Sequence, residues 1–192
     1  MKYRLCVASA VLILNFASAH ADCLSELSAI MDAHKTAGPY HVSMTSHFGG
    51  KTMQNEADVI LPSSFHMKSA MMEAIMLKSG TWMKIGGKWQ TMPAQMTSIM
   101  QSNLANGMEQ GLKNVKNLKC LGSQTYQNGQ YTTYEFDSSG EAMGIKATSH
   151  ITMYTTDNKP VWMVINGMAM GKKSNMVQKI TFDPSITINP PK

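Results

Sequence analysis

The 192-residue chain carries 17 Lys+Arg against 12 Asp+Glu, a formal charge of +5, and a single arginine, Arg4. That length suits one domain with a real core. Scattered lysines without arginine forks argue against base and phosphate-backbone recognition, and so against a nucleic-acid partner.

Lys2 and Arg4 precede "LCVASAVLILNFASA", an apolar run of signal-peptide length that ends too soon to span a bilayer. Ala19-His20-Ala21 fits the small-x-small rule of signal peptidase, with Ala17-Ser18-Ala19 a second site. Residues 1–21 are therefore expected to be removed, leaving 22–192 as one exported, periplasmic domain. Asp22 ahead of Cys23 argues against a lipid-modified cysteine. The mature chain then carries 15 lysines, no arginine and a charge of +3. With Cys6 removed, Cys23 and Cys120 remain, and two cysteines in an exported protein are expected to pair. Neither lies in a C-x-x-C, which favours a structural bridge over a redox pair. Closing a loop of about 97 residues is worth up to about 4–5 kcal/mol in the chain-entropy model.

Residues 24–36 have helical spacing, with Leu24, Leu27, Ile30, Met31 and His34 on one face and Gly38-Pro39 as the stop. Strand text follows: 40–48, the turn Gly49-Gly50-Lys51, 52–61, the break Pro62-Ser63-Ser64, 65–71 and 73–78. "GTWMKIGGKWQTMP" (80–93) then reads as a hairpin around Gly86-Gly87, with Trp82 and Trp89 close to cross-strand partners. A phosphate loop would need a strand-to-helix setting and G-K-[ST], whereas Trp89 follows Lys88. The first half is thus an antiparallel meander. From Pro93 the spacing is helical again over 94–115, with Met96, Ile99, Met100 and Leu104 on one face and Asn106-Gly107 dividing it into two helices. Five more strands follow (119–127, 130–138, 144–156, 160–167 and 175–183). Asn128-Gly129, Ser139-Gly140, Asp157-Asn158 and Gly171-Lys172 supply the turns.

This order of elements resembles the LolA-like superfamily of periplasmic lipoprotein and lipid carriers. "ADVILPSSFHMKS", "SGTWMKIGGKWQTMP" and "ITFDPSITINPPK" are similar to its strand–proline–strand, aromatic hairpin and closing strand, and the likeness covers about 22–192. It implies an α+β fold: a strongly curved antiparallel half-barrel sheet of about ten to eleven strands, with an N-terminal helix and a helical lid on the concave face. It also implies an apolar cavity between sheet and lid that holds acyl chains.

Within that frame the methionines matter. The chain has 19, against 5 phenylalanines. Methionine is flexible and suits both core gaps and a soft wall around an acyl chain. The residues expected to line the cavity are Met44, Val59, Met67, Trp82, Met83, Trp89, Met96, Ile99 and Met100, with Asn106-Gly107 as a hinge for the lid. The expected partner is a lipid or an acylated protein, with an inner- or outer-membrane protein as a further partner. The lipoprotein carriers proper hold cargo with a cavity arginine. The mature chain has none, which favours another lipid cargo or a sensing role.

Two alternatives belong to other classes. One is a protein-interaction module without lipid. The other is a copper-binding protein, since thioethers and imidazoles select Cu(I) and "HMKSAMMEAIM" gathers His66, Met67, Met71, Met72 and Met76, with Met168-Ala169-Met170 in a loop. No G-x-S-x-G or H-E-x-x-H motif occurs. Glu135 and Asp137 share a strand face, but a solvated face accounts for them more simply than acid–base work. The reading assigns no catalytic residue, no metal and no cofactor.

Overall fold

A computed structural model describes residues 16–70, 72–142, 145–169 and 171–192, without side-chain detail for 16–21, 103–112, 141, 142, 145, 146 and 169. Residues 1–15 of the expected signal peptide, Met71 and Met170 lie outside the described residues.

Helix α1 (Phe16–Thr36) leads into strands β1 (Tyr40–Phe48), β2 (Lys51–Ile60), β3 (Ser64–Ser69), β4 (Glu73–Leu77), β5 (Gly80–Ile85) and β6 (Lys88–Thr91). Helix α2 (Ala94–Lys113) follows. Then come β7 (Val115–Tyr126), β8 (Gly129–Ala142), β9 (Ile145–Thr156), β10 (Lys159–Ala169) and β11 (Lys172–Phe182). All eleven strands form one antiparallel sheet in the order β6-β5-β4-β3-β2-β1-β11-β10-β9-β8-β7. Two meanders are thus joined where β1 pairs with β11, Tyr40 opposite Phe182 and Phe48 opposite Ser174.

The curvature follows from the connection. β6 and β7 are the two edge strands, and α2 is the chain between them. A flat sheet of eleven strands would hold its edges about 48 Å apart. The 20-residue helix spans only about 30 Å. The sheet therefore bends, and α2 touches β5 and β8, the second strand in from each edge. The fold is α+β, an open curved sheet with two helices.

Alternation gives the sheet two chemically distinct faces. On the inner face, α1 lays Cys23, Leu27 and Ile30 against Leu118, Tyr134, Phe136 and Met153. A second cluster joins Tyr40, Val42, Ala57, Val59 and Ile180. The buried residues of α1 are Cys23, Leu27, Ile30 and His34, spaced i, i+4, i+7, i+11. Leu24, expected on this stripe, is 48% exposed, and Cys23 holds its place. Cys23 and Cys120 form a disulfide that ties α1 to β7, with Cα atoms 5.7 Å apart. Beside it the Tyr134 hydroxyl donates to Glu26 Oε2 at 3.1 Å.

Four other expectations change. Helix α2 runs unbroken through Asn106-Gly107, since one glycine costs a helix about 1 kcal/mol relative to alanine and does not break it. Ser139-Gly140 is no turn: both residues lie in β8, opposite Thr148 and Ala147. The register so set places Phe136 opposite Ile151 and Tyr134 opposite Met153, joining apolar residues on the core face. Met168 and Ala169 belong to β10 rather than to a loop. The Asp157-Asn158 turn is as expected, with positive φ at both residues, whereas the turn expected at Asn128-Gly129 falls one residue earlier, on Gln127-Asn128, with Gly129 already paired to Tyr126.

Candidate functional site

The inner face is where apolar side chains are left partly uncovered. Cross-strand rows place Met83, Ala74, Met67, Ala57 and Val42 in line. Below them run Met44, Gln178, Met163 and Met153, and below those Met53, Ser46, Met176 and Ile165. Six of these methionines, 44, 53, 67, 83, 163 and 176, are half-buried. α1 contacts β7 and β10 and α2 contacts β5 and β8, which leaves the strands β1–β3 with little helix contact. At one end of this face β4 is buried on both sides, with Ala74, Ile75 and Met76 nearly inaccessible. There Gln101 Nε2 on α2 donates to the Leu77 carbonyl at 2.8 Å.

Of the nine residues expected to line a cavity, Met44, Val59, Met67 and Met83 share this inner face. Trp82 and Trp89 occupy the opposite one, where Trp82 pairs with Thr91 and Lys84 with Trp89. The two rings are diagonal neighbours, and the Lys84 ammonium lies 5.6 Å from the Trp89 ring centre. On α2, Met96 and Ile99 are 40% and 49% exposed, and Met100 is half-buried. Met53, Met163 and Met176 were not foreseen as part of this face. Period-two counting along each strand carries the signal, but joining the strands into one face requires the β1–β11 pairing.

The outer face is polar and hydrogen-bonded. His41 Nδ1 meets Asp58 Oδ1 at 2.7 Å, and His66 Nε2 meets Glu73 Oε1 at 2.9 Å. Lys84 also reaches Glu73, and the His66 hydrogen bond and this lysine hold the Glu73 carboxyl below its usual range. Met67 and Met76 project to the inner face, so the structure does not bring His66 together with them. Among the described residues no group of three His, Cys, Asp or Glu side chains gathers at metal-binding spacing.

Glu135 and Asp137 lie on this outer face as well. Lys119 bonds Glu135 at 2.7 Å, and Asp137 accepts from Asn117 at 2.7 Å and meets His150 Nδ1 at 2.8 Å. The Lys119 bond lowers the Glu135 pKa, and the Asn117 and His150 bonds lower that of Asp137. Neither is poised as a general acid.

Beside them opens a cavity of about 830 Å³. A continuous row crosses it, Asp137–His150–Asn166–Asn175–His47, each residue opposite the next. The row extends to Thr52, which bonds His47 at 2.9 Å, and Asn175 bonds Asn166 at 2.8 Å. Lys116, opposite Asp137, begins the row, and Ser139, Thr148, Met168 and Lys173 form the next one. Small inner-parity residues (Ser138, Ser149, Gly167, Ser174) and the β1–β2 turn at Phe48–Gly50 complete the lining. The lining thus draws on both parities, Phe48 among the inner one, but its charged residues, Lys116, Asp137 and Lys173, all belong to the outer face. None of the nine expected residues lines it.

No family model matches the sequence, and no curated protein matches it either. Solved structures do. The lipoprotein LppX of Mycobacterium tuberculosis superposes with a TM-score of 0.59 at 13% identity, over 88% of this chain and 99% of LppX. The chain has a LolA-like fold. LprF of Mycobacterium bovis gives 0.57 at 16% identity, over 89% of this chain and 97% of LprF. The MucA/MucB complex of Pseudomonas aeruginosa gives 0.53 at 10% identity, over 85% of this chain and 59% of the matched one. The LolA-like sheet thus accounts for nearly all of the chain, in line with the order of elements read from its sequence.

Proposed function

We propose that the mature chain, residues 22–192, is a periplasmic carrier or sensor that binds a lipid or an acylated protein on the inner face of its LolA-like sheet. The observation that carries this reading is the band of half-buried methionines on that face. Thioether side chains adapt to a flexible chain without fixing one shape. Each methylene moved from water onto such a surface contributes about 0.8 kcal/mol, so acyl chains bind by burial alone. Met44, Val59, Met67 and Met83 form the floor on this reading. Met96, Ile99 and Met100 are brought over it when α2 shifts, and Trp82 and Trp89 serve the outside of the hairpin.

A second reading has one observation in its favour. The similar fold in the MucA/MucB structure occurs within a protein–protein complex. Native mass spectrometry of the protein purified from its own periplasm separates the two. A mass adduct that organic solvent removes, identified as lipid, supports the carrier. Adduct-free protein that also takes up no fluorescent fatty acid ends that reading and leaves the protein-interaction module.

A further inference from the structure

The cavity beside Asp137 is separate from the inner-face methionines, none of which lines it. Its lining is rich in hydrogen-bond donors. Lys116 and Lys173 are exposed, and neither makes an ion pair among the described residues. The single lining carboxylate, Asp137, is already engaged by Asn117 and His150. The Asn166 and Asn175 amides share the row that Lys116 and Asp137 begin, and Lys173 stands in the adjacent row with Ser139 and Thr148. Two ammonium groups without an ion pair, against one lining carboxylate, leave a net positive charge and a surplus of N–H and O–H donors. About 830 Å³ is within the range of small-molecule sites.

We infer that this cavity binds an oxyanion, a phosphate-type group, between Lys116 and Lys173 with the asparagine pair as neutral donors. Lysine serves such groups as a point charge, so the lack of arginine in the mature chain is no obstacle. Among the described side chains Glu135 is a further acid on this face, and Lys119 pairs with it; His47 and His150 are bonded to Thr52 and Asp137. The group is either free in solution or the head of an anionic lipid, and the two sources share this chemistry.

The test uses the exported protein and its Lys116→Gln/Lys173→Gln double variant, with Lys78→Gln as a control on a distant turn. All three positions are exposed, so each variant is expected to melt with the wild type. Inorganic phosphate is titrated while the amide resonances of His150, Asn166 and Asn175 are followed. In parallel, phosphatidylglycerol and phosphatidylcholine vesicles are co-sedimented with the protein. Phosphate binding that falls about tenfold or more in the double variant, and not in the control, identifies a free oxyanion site. Binding of phosphatidylglycerol vesicles alone, lost in the same variant, identifies a lipid head group. No binding of either, or an equal loss in the control, overturns the inference. Uptake of fatty acid on the inner face is unaffected in every case, so this site and the carrier reading fail separately.

Discussion

The His34 imidazole lies against Tyr40 and Phe182, with ring centres 4.7 and 5.6 Å away, and its Nδ1 is buried without a partner. Burial lowers its pKa from 6.5 to about 4. The unfolded chain protonates this group near pH 6.5 and the folded chain only near pH 4. Unfolding therefore takes up a proton between those values, and stability falls as the pH drops through that window. The loss approaches about 3 kcal/mol below pH 4. Denaturant melts at pH 7 and pH 4 are expected to show this component in the wild type and to lack it in His34→Phe. Core packing sets a second expectation. Met153 is 1% exposed between Tyr134 and Met163, so Met153→Ala is expected to cost about 2–5 kcal/mol, read as a lowered urea midpoint at unchanged slope.

At the level of elements, the disulfide decides where α1 sits. Cys23 is buried in the core and Cys120 lies on the edge strand β7, so the bond holds the helix over β7–β10. Cys23→Ser/Cys120→Ser is expected to lose about 2–5 kcal/mol and to free α1 for hydrogen exchange while the sheet remains protected. The hairpins set the rest. Around Gly49-Gly50 and Asp157-Asn158 the turn residues are readable, and so is the cross-strand register that each turn dictates. Around β8 and β9 it is not. Ser139-Gly140 has turn chemistry, but β8 and β9 stay paired as far as Ala142 opposite Ile145, and that register changes every partner. With the turn at 139–140, Asp137 and His150 cannot be neighbours, so the polar row and its cavity were out of reach. Burial of Phe136 and Ile151 against α1 overrides the local preference.

On the scale of the whole molecule, the proposed carrier function depends on an open face. A charge at its centre is expected to abolish lipid uptake with little effect on the fold, because Met67 is only half-buried. Met67→Glu is expected to weaken fluorescent fatty-acid binding by about tenfold or more, since ligand burial must then desolvate a carboxylate. Conversely, removing bound lipid by solvent extraction is expected to lower the melting temperature. Ligand at about a hundred times its dissociation constant adds about 2.7 kcal/mol to the native state.

Composition, spacing and turn chemistry alone determined most elements of this protein: an N-terminal helix, a helical stretch between two antiparallel meanders, two cysteines disposed to pair, and a surplus of methionine with no arginine after residue 4. Those are local properties, written in periodicities of two and 3.6 residues and in glycine and asparagine at turns. Only the tertiary structure decided that β1 lies beside β11, that six methionines from six strands share one face, and that His47, Asn175, Asn166, His150 and Asp137 line up across five strands. The reason is physical. Pairing between the two ends of the chain is selected by burial of α1 and closure of the sheet as a whole, and no short stretch of sequence carries that information.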